Sequence, residues 1–379
     1  MHILHVITRM DGGGSAMIAL RIATEQLKQG HEVCLAFGET TESNMSQAEQ
    51  QNVNGRLSTF ASLGGNIRVL HSLKRNIGIH DVFAYREIGK LIGQGFDLVH
   101  THTSKAGALG RLAFSRKHAR AIVHMPHGHI FNDYFGTLAT RFFVAMERWL
   151  ATKADALIAI TRAEMEDNLQ HGVGTPEQWH VIPSGVDVAD IEQFTTAIRA
   201  QASHKIVWDA ICVGRLVGIK GMDRLLRAWA EVCKHKPDAR LVIVGDGEEM
   251  HALKALQHDL GMDDNVVFAG WDDPRPYLAA SKCFVLLSRN EGMGCSVVEA
   301  MAAGLPCVVS NVCGLKELVS EEIGDVVDAD SPQCVAQALQ KEWPVEMSRA
   351  CRERAKNFSD VVMVERLGAL YEQLTGGDR

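Results

Sequence analysis

Glu291 and Glu299, with seven residues between them, stand in the stretch SRNEGMGCSVVEAMAAGLPCVVS. The apolar run Cys283–Leu287 before it is short and partly β-branched or aromatic. It predicts a strand buried on both faces that delivers its carboxyl end to a crevice. Gly292 and Gly294 then allow the backbone to approach a ligand closely. From about Gly294 the spacing of Val297, Val298, Met301 and Ala302 is helical, so free N–H groups and a positive dipole end point at the same crevice. Gly304-Leu305-Pro306 ends the helix and Cys307-Val308-Val309 opens another strand. One carboxylate precedes the helix and the other lies about a turn and a half inside it. Such a pair can take two separate groups of hydroxyls on one extended, phosphate-bearing ligand.

Val213-Gly214-Arg215-Leu216, with Lys220-Gly221 just beyond, also follows a strand and opens a helix. Arginine offers a planar fork for phosphate oxygens and lysine a mobile point charge. Together they can neutralise a diphosphate as negative charge develops on it. A divalent metal can do the same work at a phosphate site, so metal-independent chemistry is expected here. A third element, Asp11-Gly12-Gly13-Gly14-Ser15, follows the first strand and precedes a helix. It is not a dinucleotide fingerprint, because Met17 stands where the third glycine is required. Val244–Gly247 fails the same test at Met250. Histidines crowd two further strand ends, at His100 and His102 and at His124, His127 and His129. Imidazoles are common metal ligands. No carboxylate or thiolate spacing completes a recognised set here, and no metal site is assigned.

The elements that would position these groups alternate strand and helix throughout, which implies parallel sheets covered by helices. Strands are expected near 2–7, 32–37, 97–100, 121–124 and 156–160, with helices including 15–28 and 137–151. A second series has strands at 210–213, 240–244, 266–269, 283–287 and 306–309, and helices at 222–234 and 295–303. The polar, alanine-rich segment 186–205 reads as a linker. The expected organisation is therefore one Rossmann-like domain at 1–185 and a second, ligand-binding one at 206–350. A final helical segment, 351–379, completes two tandem doubly wound domains facing a central cleft. Phe142, Met146 and Trp149 share a helical stripe with arginines at both ends. That stripe reads as core ahead of a membrane-surface face.

The Glu-x(7)-Glu element with its EAMA-G-LP continuation resembles that of the retaining glycosyltransferases of the GT-B fold, family 4 type. The resemblance implies that Glu291 contacts the donor sugar and Glu299 the nucleotide ribose. It also implies that Arg215 and Lys220, in a GRL…KG element, serve the donor diphosphate with the Gly292, Met293, Gly294 and Cys295 backbone. Many members carry a DLVHTHTSKAG-like run and a histidine-glycine pair near the donor sugar. His127-Gly128 matches that pair, giving His127 and Glu291 as the catalytic candidates, while His100 and His102 read as structural or acceptor-side. The Gly13-Gly14 loop fits a site facing donor phosphate and acceptor. The family's loop typically reads Gly-Gly-Ala-Glu, however, and here Ala16 stands in place of the glutamate. The last helix is expected to cross back onto the N-terminal domain.

The implied activity is sugar transfer from a nucleotide diphosphosugar, UDP ahead of GDP, to a lipid-linked glycan of cell-surface polysaccharide synthesis. Retention, no metal and no cofactor beyond the donor are expected. The alternatives are a nucleotide-sugar epimerase or hydrolase of the same fold, and a non-catalytic nucleotide-sugar-binding subunit. Composition narrows the partners. Residues 1–185 carry 18 Lys and Arg against 16 Asp and Glu, and the remainder 21 against 30. With a pI near 6.2 no nucleic-acid partner is expected. No run reaches the ~18 apolar residues of a membrane span, and the nine scattered cysteines suit reduced thiols. A cytoplasmic location is expected, with peripheral contact at the inner face of the membrane through the N-terminal domain.

Overall fold

The computed structural model describes residues 1–39, 45, 47–128 and 137–376. The chain divides into two units, Met1–Gly185 with Asp360–Arg379, and Val186–Ser359. His129 lies outside the described residues.

In the first unit seven parallel strands form one sheet: β1 (His2–Arg9), β2 (Glu32–Gly38), β3 (Asn66–Leu70), β4 (Leu98–His102), β5 (Ala121–Met125), β6 (Ala156–Ala159) and β7 (Trp179–Val181). Their spatial order is β3-β2-β1-β4-β5-β6-β7. The covering helices are α1 (Gly14–Lys28), α2 (Gln47–Ser62), α3 (His80–Gly89), α4 (Ser104–Ala113), α5 (Thr137–Ala151) and α6 (Arg162–Gln170). Burial explains the apolar runs: Leu4, Val6, Cys34 and Val99 pack on one side, Ile7, Leu35, Leu20 and Phe60 on the other.

The second unit opens on α7 (Val188–Arg199) and then alternates. Its elements are β8 (Trp208–Val213), α8 (Met222–His235), β9 (Leu241–Val244), α9 (Met250–Asp259), β10 (Val266–Gly270), α10 (Pro274–Ala279), β11 (Ser281–Leu286), α11 (Cys295–Ala302), β12 (Cys307–Ser310), α12 (Cys313–Lys316), β13 (Gly324–Val327), α13 (Pro332–Leu339) and α14 (Val345–Lys356). The six strands are parallel in the order β10-β9-β8-β11-β12-β13. Both sheets thus reverse strand order beside their first strand, at β1/β4 and at β8/β11, where doubly wound sheets bind ligands.

Two boundaries differ from expectation. The segment 186–205 is no linker. Asp187 caps α7 through its side chain, which accepts from the Asp190 amide. Arg199 then donates from three nitrogens to the carbonyls of Ala279, Ala303 and Leu278. Its polar composition reflects one exposed face of a packed helix. Likewise residues up to Ser359 belong to the second unit, and only α15 (Asp360–Thr375) returns to the first. There it lies against α1, with Leu367, Leu370 and Tyr371 buried.

The stripe on α5 is also corrected. Phe142 is 66 % exposed and Trp149 51 %, while Val144, Glu147, Leu150 and Ala151 are buried. The helix is turned so that a charged residue faces inward, because Arg111 of α4 is fully buried and needs a partner. Its Nη2 lies 2.8 Å from Glu147 Oε2, and its Nε donates to the Gly107 carbonyl. Removing one member of a buried pair strands the other charge. Glu147→Ala should therefore destabilise the first unit by about 3–5 kcal/mol in urea unfolding. The joint change Arg111→Met with Glu147→Leu should come out close to neutral.

Candidate functional site

In the second unit the loops after β8 and β11 meet at the strand-order reversal. Gly221 makes the approach possible. Its φ is +65°, and a Cβ there would stand 2.1 Å from the Leu287 carbonyl oxygen. Lys220 is thereby held with its Nζ 2.5 Å from Glu291 Oε2, and Ser288 Oγ donates to the same oxygen at 3.1 Å. Arg289 fastens the two loops. It donates to the Gly218 carbonyl (2.7 Å) and bidentately to Asp223 (2.8 and 2.7 Å). The Arg289 hydrogen bond holds the Asp223 carboxyl below the ordinary aspartate range. Gly314 of α12 fits under the Glu291 turn, where a Cβ would fall 2.2 Å from the Gly292 carbonyl oxygen.

The structure therefore joins Lys220 and Glu291 directly. Arg215 stands exposed just beyond β8, and its side chain makes no hydrogen bond or ion pair among the described residues. Glu299 is half-buried on α11. Gly294, at φ +76°, precedes α11 without a side-chain cap, and in the first turn the Val297 amide donates to the Gly294 carbonyl at 2.9 Å. Met293 is only 3 % exposed, so its contribution to a ligand is confined to its backbone. Arg289 and Gly314 were not singled out in the sequence. Arg289 stood inside the motif, but its partner Asp223 is remote in sequence.

In the first unit the same edge of the sheet holds Gly13 and Gly14 after β1, Thr103 after β4 and His127 after β5. Gly13 precedes α1, and its amide donates to Asp11 Oδ1 at 2.9 Å. A Cβ at Gly12 would stand 3.2 Å from Glu49 Oε1, so α2 brings a carboxylate to the loop whose glutamate position is Ala16. Thr103 (φ +61°) and His127 (φ +67°) are the two non-glycine residues with positive φ among the described residues. Such strain concentrates at functional sites and needs support. For His127 the support is Glu164, another residue missed in the sequence. Fully buried at the start of α6, it accepts from the Gly128 amide (2.8 Å) and the Ile160 amide (2.7 Å).

His5 and His100 are partners in register on β1 and β4, and His102 shares their face two residues on. All three are fully buried, so His100 and His102 are structural rather than acceptor contacts. His5 Nδ1 lies 2.9 Å from His102 Nε2, and His102 Nδ1 lies 2.8 Å from His127 Nε2. His5, His100 and His102 form a trio whose ligand-type nitrogens lie within 4.8 Å of one another. Two of those nitrogens already face each other across a hydrogen bond, so the trio forms part of an imidazole ladder. The Asp-x-Asp triplet Asp328-Ala329-Asp330, overlooked in the expectation of metal independence, caps an exposed turn. There Asp330 pairs with Arg224 at 2.6 Å.

The family described as Glycosyltransferase Family 4 matches residues 12–190, and that described as Glycosyl transferases group 1 matches 194–358. A "UDP-Gal:alpha-D-GlcNAc-diphosphoundecaprenol alpha-1,3-galactosyltransferase" of Escherichia coli is 32% identical over 79% of this chain and 82% of its own. A "D-inositol 3-phosphate glycosyltransferase" of Corynebacterium efficiens is 27% identical over 96% and 91%. Among solved structures, Anabaena HepE in complex with UDP has a TM-score of 0.77 at 20% identity, covering 98% of this chain and all of that one. The chain belongs to the family 4 glycosyltransferases, with the GT-B fold. It is an enzyme of the hexosyltransferase kind.

Burial lowers the pKa of His5 to about 4 and of His127 to about 3. His100, His102 and His124 also lie well below the ordinary histidine value, chiefly through burial. An unfolded chain protonates these rings near pH 6.5. As pH falls below that point the unfolded state binds more protons, and folding stability falls until each folded pKa is passed. Each ring should contribute up to ~1.4 kcal/mol per pH unit. Hydrogen exchange in peptides from β4 and β5 should therefore accelerate between pH 7 and 5 beyond the intrinsic chemical trend. Unchanged protection would contradict a neutral ladder.

Proposed function

We propose that the protein transfers a hexose, with retention and without a metal, from a nucleotide diphosphosugar to a lipid-linked glycan. The observation that carries this reading is the 2.5 Å contact between Lys220 Nζ and the Glu291 carboxylate. It puts a phosphate-binding cation and a hydroxyl-binding carboxylate in one place. Arg215 and Lys220 take the diphosphate, and the backbone from Gly292 to Cys295 adds N–H donors. Glu299 takes the ribose, while Glu291 and His127 serve the sugar. UDP is preferred to GDP because the Escherichia coli relative is named for a UDP-galactose donor. The same name, with its diphosphoundecaprenol, supports a lipid-linked acceptor and a role in cell-surface polysaccharide synthesis. In the reaction the acceptor oxygen bonds to the anomeric carbon as the bond to the diphosphate breaks. The acceptor proton passes to the departing phosphate oxygen, so no protein nucleophile and no cofactor are required.

Calorimetric titration with UDP and with GDP, in the absence of divalent cations, tests the donor site. UDP should bind, and Arg215→Ala and Glu299→Ala should each weaken it about 10-fold or more, the scale of a lost charge-assisted hydrogen bond. Glu291→Ala should spare UDP affinity and abolish transfer. Failure of both nucleotides to bind, or binding indifferent to the substitutions, would sink the reading and favour a non-catalytic role.

No helix among the described residues is long and apolar enough to cross a membrane. A lipid-linked acceptor is instead reached by peripheral contact of a cytoplasmic enzyme. The exposed Phe142 and Trp149 of α5 lie beside the exposed Arg141 and Arg148, with Lys153 Nζ 4.9 Å from the Trp149 ring centre. Aromatic side chains flanked by cations suit an anionic lipid surface. Co-sedimentation with anionic vesicles should fall several-fold in Phe142→Glu/Trp149→Glu, and no change would remove α5 as the contact.

A further inference from the structure

The imidazole ladder has a direction, and one amide sets it. His5 Nε2 lies 2.7 Å from Gln26 Oε1, an oxygen that can only accept. His5 must then carry its proton on Nε2 and accept at Nδ1. His102 Nε2 in turn donates to His5 Nδ1, and His102 Nδ1 accepts from His127 Nε2. Each ring passes the same choice to the next, leaving His127 with a free lone pair on Nδ1. That nitrogen has no hydrogen-bond partner among the described residues, and His127 is the half-buried member of a ladder whose other rings are fully buried.

Reversing the Gln26 amide would reverse every tautomer, so its orientation needs an independent argument. Tyr371 of α15 supplies one. Its hydroxyl lies 2.6 Å from His100 Nδ1, inside the usual range for an O–H donor and shorter than that for an N–H donor. Tyr371 therefore donates to His100 and keeps its oxygen lone pairs for another donor. The Gln26 side chain interacts with Tyr371, although its amide nitrogen completes no hydrogen bond. Lone pairs on the Tyr371 oxygen suit an amide nitrogen rather than an amide oxygen, which agrees with the Gln26 oxygen lying against His5.

We propose that Gln26, His5 and His102 are positioning residues that hold His127 as the neutral Nε2–H tautomer, its Nδ1 lone pair presented to a hydroxyl of the transferred sugar. The contact with sugar rests on the function proposed above, whereas the tautomer does not. A donor at His127 Nδ1 would offer that hydroxyl the wrong polarity, and a loosened ring would offer it no fixed direction.

Nitrogen-15 NMR of histidine-labelled full-length protein at pH 7 reads the tautomers directly. His5, His102 and His127 should all be neutral and protonated at Nε2. Gln26→Leu should mix or reverse the His127 tautomer and lower kcat about 10-fold, the lower end for loss of a group that orients a working imidazole. Donor KM should stay within about threefold, since diphosphate and ribose contacts are untouched. Gln26→Glu, which keeps an acceptor, should restore both tautomer and rate. Protonation of His127 at Nδ1 in the unaltered protein would overturn the proposal. So would a Gln26→Leu protein with unchanged tautomer and kcat, or one equivalent of a divalent metal copurifying on His5, His100 and His102. Full transfer by His127→Ala, with the tautomers as stated, would instead remove His127 from the sugar while leaving the ladder's direction intact.

Discussion

Where a doubly wound sheet reverses its strand order, neighbouring loops leave the same edge toward opposite faces. Everything that can do chemistry in either unit hangs on that constraint. At β1/β4 it places Thr8 beside Thr103, and at β8/β11 it places Lys220 beside Glu291. Parallel strands buried on both faces keep these edges rigid, so the loops need few contacts of their own. The contacts they do make are specific: Arg289 on Asp223 in one unit, Glu164 on the Gly128 amide in the other.

The two edges solve the problem of polar groups differently. In the second unit the charges stay at the surface, where water and one another compensate them. The first unit buries four histidines, His5, His100, His102 and His124, in the middle of its sheet, among Leu4, Val6 and Val99. A buried imbalance of donors and acceptors there is costly. A ladder of imidazoles avoids most of it, because each ring offers one donor and one acceptor in its neutral form. Unpartnered nitrogens on His100, His124 and Gln26 mark where the compensation is incomplete. The protein tolerates that cost in the neighbourhood where His127 is held at positive φ.

Much of this could be read from residue order, and the failures share a cause. The central strands and the helices after Gly14, Gly221 and Gly294 were legible because buried parallel strands are continuous apolar runs. β3 was not, since an edge strand with Asn66 and Arg68 has no such run. β7, with three residues, is too short to show a period. The segment Val188–Arg199 looked like a linker because its composition hides a capped helix whose terminal Arg199 seeks carbonyls far along the chain. On α5, helical spacing gave the right helix and the wrong face, because the inward position belongs to Glu147 through a partner on α4. The motif residues Lys220 and Glu291 were legible from type and spacing. His5, Gln26, Glu164 and Tyr371 were not, because each matters through a partner brought near only by the fold.

On the proposed donor site, the Lys220–Glu291 pair links two binding events that the sequence presents as separate motifs. The amine and the carboxylate lie 2.5 Å apart and compensate each other's charge. A diphosphate carries more negative charge than one carboxylate and competes for the lysine, whose flexible stem lets it turn. Glu291 is then left with Ser288 as its neutral donor and with lone pairs to give to sugar hydroxyls. A sugar without its diphosphate would have to break the ion pair for neutral hydrogen bonds alone, which are weaker than those to a charged partner. The arrangement therefore favours the intact donor over a free sugar at the moment of binding, before any step of the chemistry.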